Sequence, residues 1–125
     1  MPIRAVLFDL HGVLTSSPWS ALAEVGTHGG ADQAAVLRVI LGDYALDGDH
    51  PWHRLERGEI GVDDYLRLVV AEAEAAGIEL DWSRMSGYSE RMTLNQQVLD
   101  RIARLRADGY KTALVTNNVR EMAGG

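Results

Sequence analysis

Cysteine is absent from the 125 residues. That excludes disulfides, thiolate nucleophiles and cysteine-based zinc sites. Lysine occurs once, at Lys111, and no Lys/Arg cluster is present, so a surface for nucleic acid or an anionic membrane is not expected. The formal charge of −6 points the same way. No stretch approaches the ~20 consecutive apolar residues that cross a bilayer. The opening Met-Pro-Ile-Arg leads straight toward a strand and lacks the three regions of a signal peptide. Neither an internal repeat nor a low-complexity tract is visible. The expectation is a soluble cytoplasmic protein, one domain's worth of chain, without nucleic-acid or membrane partners.

What is present centres on Ile3 to Thr15. Ala5 to Phe8 form a short apolar run whose length and content favour a strand buried on both faces, as in a parallel sheet. The run stops at a carboxylate, Asp9, and Gly12 follows, a residue that lets the chain leave with unusual backbone angles. A carboxylate at the end of a buried strand is costly unless solvated, paired or metal-bound. In open α/β sheets ligands bind at that edge. The plainer alternative is that Asp9 ends the strand and starts a turn.

Further along, Ser17 and Pro18 read as the cap and first residue of a short helix that stops in the loop Gly26-Thr27-His28-Gly29-Gly30. Ala35, Val36, Val39 and Ile40 recur at helical spacing between Asp32 and Leu41, and Gly42 ends that helix. Asp43 to His53 reads as an irregular acidic connection. Asp63 to Ala76 carries the stripe Tyr65, Leu66, Val69, Val70 and Ala73, with Gly77 as the stop. Trp82, Met85 and Tyr88 could share a helical face that Gly87 interrupts. Asn95 caps a helix through Val98, Ile102 and Leu105, and Tyr110 to Val115 is a second strand running into Thr116-Asn117-Asn118. The expected fold is α/β, with two parallel strands and an inserted helical module. Residues 1–15 and 96–125 form the strand-bearing part, and 16–95 the insert.

Phe8-Asp9-Leu10-His11-Gly12-Val13-Leu14-Thr15 resembles the first motif of the haloacid dehalogenase (HAD) superfamily, hydrophobic-Asp-x-Asp-Gly-[Thr/Val]. Ala113 to Asn118 resembles its second, a strand ending in Ser/Thr. The insert, with Leu55 to Ile60 leading into the Asp63 helix, looks like the cap of the branch containing the amino-terminal phosphatase domain of soluble epoxide hydrolases. The resemblance implies a partial Rossmann-like core and Mg²⁺-dependent hydrolysis of a small phosphorylated metabolite, with Asp9 as nucleophile. It also implies Thr116 and Asn117 at the phosphate, and Mg²⁺ held by Asp9 and the main-chain carbonyl of His11. His11 stands where the phosphatases carry a second Asp, the general acid/base. An imidazole can act as a general acid, but the substitution implies impaired activity. The family's later Lys and acidic pair are absent from these residues. The alternatives are a catalytically inactive binding or regulatory module and a haloacid dehalogenase.

Two strands alone would leave edges and apolar faces open, so the chain is expected to be a fragment of a longer protein, or to form a homo-oligomer by exchange of elements. His50-Pro51-Trp52-His53 is not expected to bind metal, because Pro51 breaks the helix that would align the two imidazoles. Asp43, Asp47 and Asp49 lack the spacing of a calcium loop. At least two of Trp19, Trp52 and Trp82 are expected to pack inside the helical module rather than line a substrate entrance.

Overall fold

The computed structural model of the chain describes residues 2–117. It is a mixed helix-and-strand fold. The strands β1 (Ala5–Asp9) and β2 (Lys111–Val115) pair in parallel, with Ala5 opposite Lys111 and Asp9 opposite Val115. The helices are α1 (Trp19–Thr27), α2 (Gln33–Leu41), α3 (Pro51–Glu56), α4 (Val62–Ala75), α5 (Tyr88–Arg91) and α6 (Gln96–Ala107). The chain divides into two compact units. Of the described residues, one takes 2–18 and 87–116, and the other takes 19–86 with Asn117.

The strand unit is built by backbone pairing. α6 starts where the Asn95 side chain accepts the Val98 N–H, and it packs along β2. The Lys111 N–H extends the ladder by donating to Arg4 O at 3.0 Å. The segment before α6 is stitched to the chain leaving β1. Asn95 N–H donates to Leu14 O at 2.7 Å, and Ser16 N–H to Thr93 O at 2.8 Å. Thr15, buried, pairs with Leu94 in an antiparallel bridge. Apolar burial is slight here. In α6 no side chain is fully buried, and Leu7, Leu94, Leu114 and Val115 are exposed. The expectation that β1 is buried on both faces is therefore corrected. An apolar run specifies a strand, but its burial depends on elements packed against it, and among the described residues none covers one face.

The helical unit has a core. Val25, Val36, Ile40 and Val69 are sealed from solvent, with Val39, Leu41, Leu55, Tyr65, Ala73 and Ile78 packed around them. α2 is capped by Asp32, whose carboxylate accepts the Ala34 and Ala35 N–H groups. Gly42 ends it at φ +70°, where a Cβ would come within 2.5 Å of the His50 ring.

Two readings of breaker residues are corrected. Gly26 is not a loop residue. It lies buried within α1, and a Cβ there would sit 2.8 Å from both Val36 methyl groups. Its missing side chain is what lets α1 approach α2. Pro51 does not break a helix but opens α3 at its first position, where the missing N–H costs nothing. The loop read from Asp43 to His53 therefore ends sooner, at His50, which caps α3 by accepting the Trp52 N–H on Nδ1.

Candidate functional site

The register of the sheet brings the two singled-out strand ends together. Asp9 is paired with Val115, so Thr116 leaves β2 one step beyond the residue beside Asp9. Both stand at the carboxyl edge of the parallel pair. Asp9 is exposed, and its Oδ1 accepts the Leu10 N–H at 2.8 Å. This is the turn-starting role a strand-terminal Asp performs, and it leaves the carboxylate facing water.

The chain then makes one wide turn from Leu10 to Leu14, closed by the Thr15 N–H donating to Leu10 O at 3.1 Å. Within it His11 is extended, with φ −74° and ψ 126°, and Gly12 takes φ +80°. Any side chain at position 12 would be strained by that φ, although the space around it is open. The Thr15 hydroxyl donates within the turn, 3.3 Å from Leu10 O and 3.2 Å from Ser16 O, and so holds its far end. The sequence alone does not mark Thr15. Its near-complete burial in a unit with little buried side-chain surface is what marks it.

His11 is an exposed residue of this turn. Asn117 follows Thr116 directly but groups with the helical unit, so it is kept out of the site. Asn118 lies outside the described residues. No group of three or more His, Asp or Glu side chains placed to hold a metal ion occurs among the described residues. A resident metal centre is accordingly withdrawn. Asp9 supplies one carboxylate and the turn supplies carbonyls, which is too few oxygen ligands for a protein cage.

In the helical unit the two histidines expected not to bind metal are structural. His50 Nε2 donates to Val39 O at 3.0 Å and lies 3.3 Å from a Glu72 carboxylate oxygen. His53 accepts the Gly48 N–H on Nδ1 at 2.9 Å. Each Nδ1 is thus an acceptor. A pocket of about 360 Å³ is lined in part by Tyr44, Asp47, His53 and Arg57. Three of its polar side chains, Asp47, His53 and Arg57, are already paired. Arg57 donates to Asp47, Glu59 and Gly48 O. The Glu59 hydrogen bond raises the Arg57 pKa, and the same bond lowers that of Glu59. Tyr65 donates to Ile40 O at 2.7 Å, and burial, with a lesser contribution from Glu72, pushes its phenol well above the ordinary range. Trp52 and Trp82 meet Tyr65 edge-on, at 5.7 and 6.4 Å, within or against the core. Trp19 instead packs on Tyr44 at 5.2 Å.

No protein-family model matches the chain. The chain is similar to acyl-CoA dehydrogenase family member 10 of Mus musculus, with 29% identity over 128 residues. The match takes in 97% of this chain but 11% of that protein, so the chain spans about a tenth of its relative's length. These findings overturn the assignment to the HAD superfamily. With it go Mg²⁺-dependent phosphomonoester hydrolysis through Asp9, the dehalogenase alternative and the phosphatase branch read from the insert. No family model supports the motifs, and the relative carries the name of a different enzyme family. The physical reason is plain. A strand ending in Asp, followed by a glycine turn and a second strand ending in Thr, is a short pattern that edge and turn chemistry alone can produce. The dehydrogenase name, in turn, describes a whole protein of which this chain matches a small part. Among the described residues no helix is long and apolar enough to cross a membrane.

Proposed function

We propose that the strand unit is a binding module for a small phosphorylated metabolite, taken at the carboxyl edge of β1 and β2. One observation carries this reading: the parallel register sets Asp9, the open Gly12 turn and Thr116 at one strand edge. In open α/β sheets this is the edge that receives ligands. The reading treats the strand pair as the start of a Rossmann-like arrangement.

A Thr hydroxyl donates to phosphoryl oxygens, and backbone N–H groups in a turn add to it. The Asp9 carboxylate would repel the same anion, so a cation has to stand between them. Mg²⁺ suits this role as a companion of the ligand, because it binds through one or two carboxylates plus phosphate oxygens and keeps several waters. Asp9 and the His11 carbonyl are the groups on this chain that would meet it. No catalytic step is assigned.

Isothermal titration with phenylphosphonate, with and without Mg²⁺, tests the proposal. An acyl-CoA serves as a second probe, because the relative is named for that compound. Saturable binding that needs Mg²⁺ is expected. It should weaken about tenfold, ~1.4 kcal/mol, in Asp9→Asn and in Thr116→Val. Absence of saturable binding, or binding that both substitutions leave unchanged, rejects the module.

A further inference from the structure

Among the described residues, one face of the strand pair is apolar and uncovered. Side chains alternate along a strand, so Ala5, Leu7 and Asp9 share a face with Lys111, Ala113 and Val115. Ile3, two residues before Ala5, continues the row. Leu7 is 66% exposed, Val115 53% and Ile3 72%. The opposite face holds the half-buried Val6, Phe8 and Thr112 beside the exposed Leu114. Parallel sheets are found covered on both faces, so this one calls for an occupant.

The placement of charge on the face identifies it. Lys111 lies at the amino end of β2 and Asp9 at the carboxyl end of β1. They are diagonal corners of an otherwise apolar patch. Four residue steps separate them along the strands, ~13 Å, and one strand spacing across, ~4.8 Å. Consider a two-fold axis lying in the plane of contact, perpendicular to that diagonal. It sets each Asp9 over the other copy's Lys111 and stacks the apolar rows between them. The strands of the two sheets then cross at roughly 40° from antiparallel, close to the ~30° of aligned sheet packing. A patch whose positive and negative corners exchange under a two-fold is self-complementary, which is the requirement of an isologous dimer. We infer that this face binds a second copy of the chain, giving a two-fold dimer with Asp9–Lys111 pairs across its interface. The inference rests on the free chain: a cation held at Asp9 with the ligand proposed above would compete with the Lys111 pair, so the dimer is read without ligand.

Sedimentation velocity over a concentration series, in ligand-free buffer, tests it. The chain is 13.7 kDa, and a reversible species of twice that mass is expected. Leu7→Glu should abolish the dimer, with the helical circular dichroism retained as the check on folding. Asp9→Lys and Lys111→Asp should each weaken dimerisation at least tenfold, and the double exchange should restore it. A monomer at all concentrations overturns the inference. So does assembly past the dimer, which would indicate pairing along open strand edges, and so does a double exchange that behaves no better than either single change.

Discussion

The two units of this chain hold together in different ways. In the helical unit four helices and a short turn at Trp82–Met85 enclose side chains from which water is excluded. In the strand unit the ladder, the Leu10–Leu14 turn and the stitches to residues 93–95 are backbone hydrogen bonds, with Leu7, Leu114 and Val115 left in water. Burial of apolar area at ~25 cal/mol per Å² is the main favourable term in folding, while hydrogen bonds add ~1 kcal/mol net each. The helical unit therefore has the larger stabilisation of its own. The strand unit sets the ends of β1 and β2 side by side and, among the described residues, leaves one face open. What separates a scaffold from an interaction surface in this protein is which unit spends its apolar residues internally.

Substitutions sharpen the contrast, starting with the largest effect. Ile40→Ala should destabilise the helical unit by ~2–5 kcal/mol in urea titrations followed by circular dichroism, because Ile40 is sealed in the core. Leu114→Ala, an equally apolar truncation on β2, should stay within about 0.5 kcal/mol. Equal costs would erase the distinction. Gly42→Ala comes next, at ~1–3 kcal/mol, since it combines a positive φ with a clash against His50. A cost near zero would mean that the α2 end relaxes freely.

Tyr65→Phe should cost ~1–2 kcal/mol at neutral pH by leaving the Ile40 carbonyl unpaired. It should also change the alkaline limb. The folded phenol is raised above its ordinary value of 10.0, so the contribution is complete below that pH and is lost as pH rises beyond it. Thermal melts between pH 9 and pH 11 should show the wild type losing stability more steeply than Tyr65→Phe. The smallest effect belongs to the surface pair Arg57–Glu59. Glu59 is lowered from its ordinary 4.5, so its contribution is present above that pH and fades as pH falls. Arg57→Gln should give a small upward shift in the acid unfolding midpoint. An unchanged midpoint would show that solvent screens the pair completely.

Much of the fold was legible because local signals agreed with the packing. α2 and α4 carry apolar stripes at helical spacing, stopped by Gly42 and Gly77, and Asn95 announces α6. The misreadings share a cause. Gly26 and Pro51 are helix-breaking residue types, but one is a contact glycine inside α1 and the other is a legitimate first helical residue. Local residue type does not reveal a close helix approach. The Ala5–Phe8 run specified a strand correctly and its burial incorrectly, because burial depends on segments elsewhere. At the site, the sequence indicated the strand-end residues Asp9 and Thr116 and the turn glycine Gly12. It could not supply Thr15, whose hydroxyl matters through burial alone. The two motifs named a family that no family model supports, because edge and turn chemistry recurs without shared function.

Amide hydrogen exchange across a series of protein concentrations measures the central contrast most directly, that one unit buries its own core and the other, on the dimer proposed above, is completed by a second copy. Amides of α2 and α4 should be strongly protected at every concentration, and those of β1 and β2 weakly protected at dilution and progressively slower to exchange as concentration rises. Strand amides as protected as those of α4 in the most dilute sample, with no dependence on concentration, would contradict it.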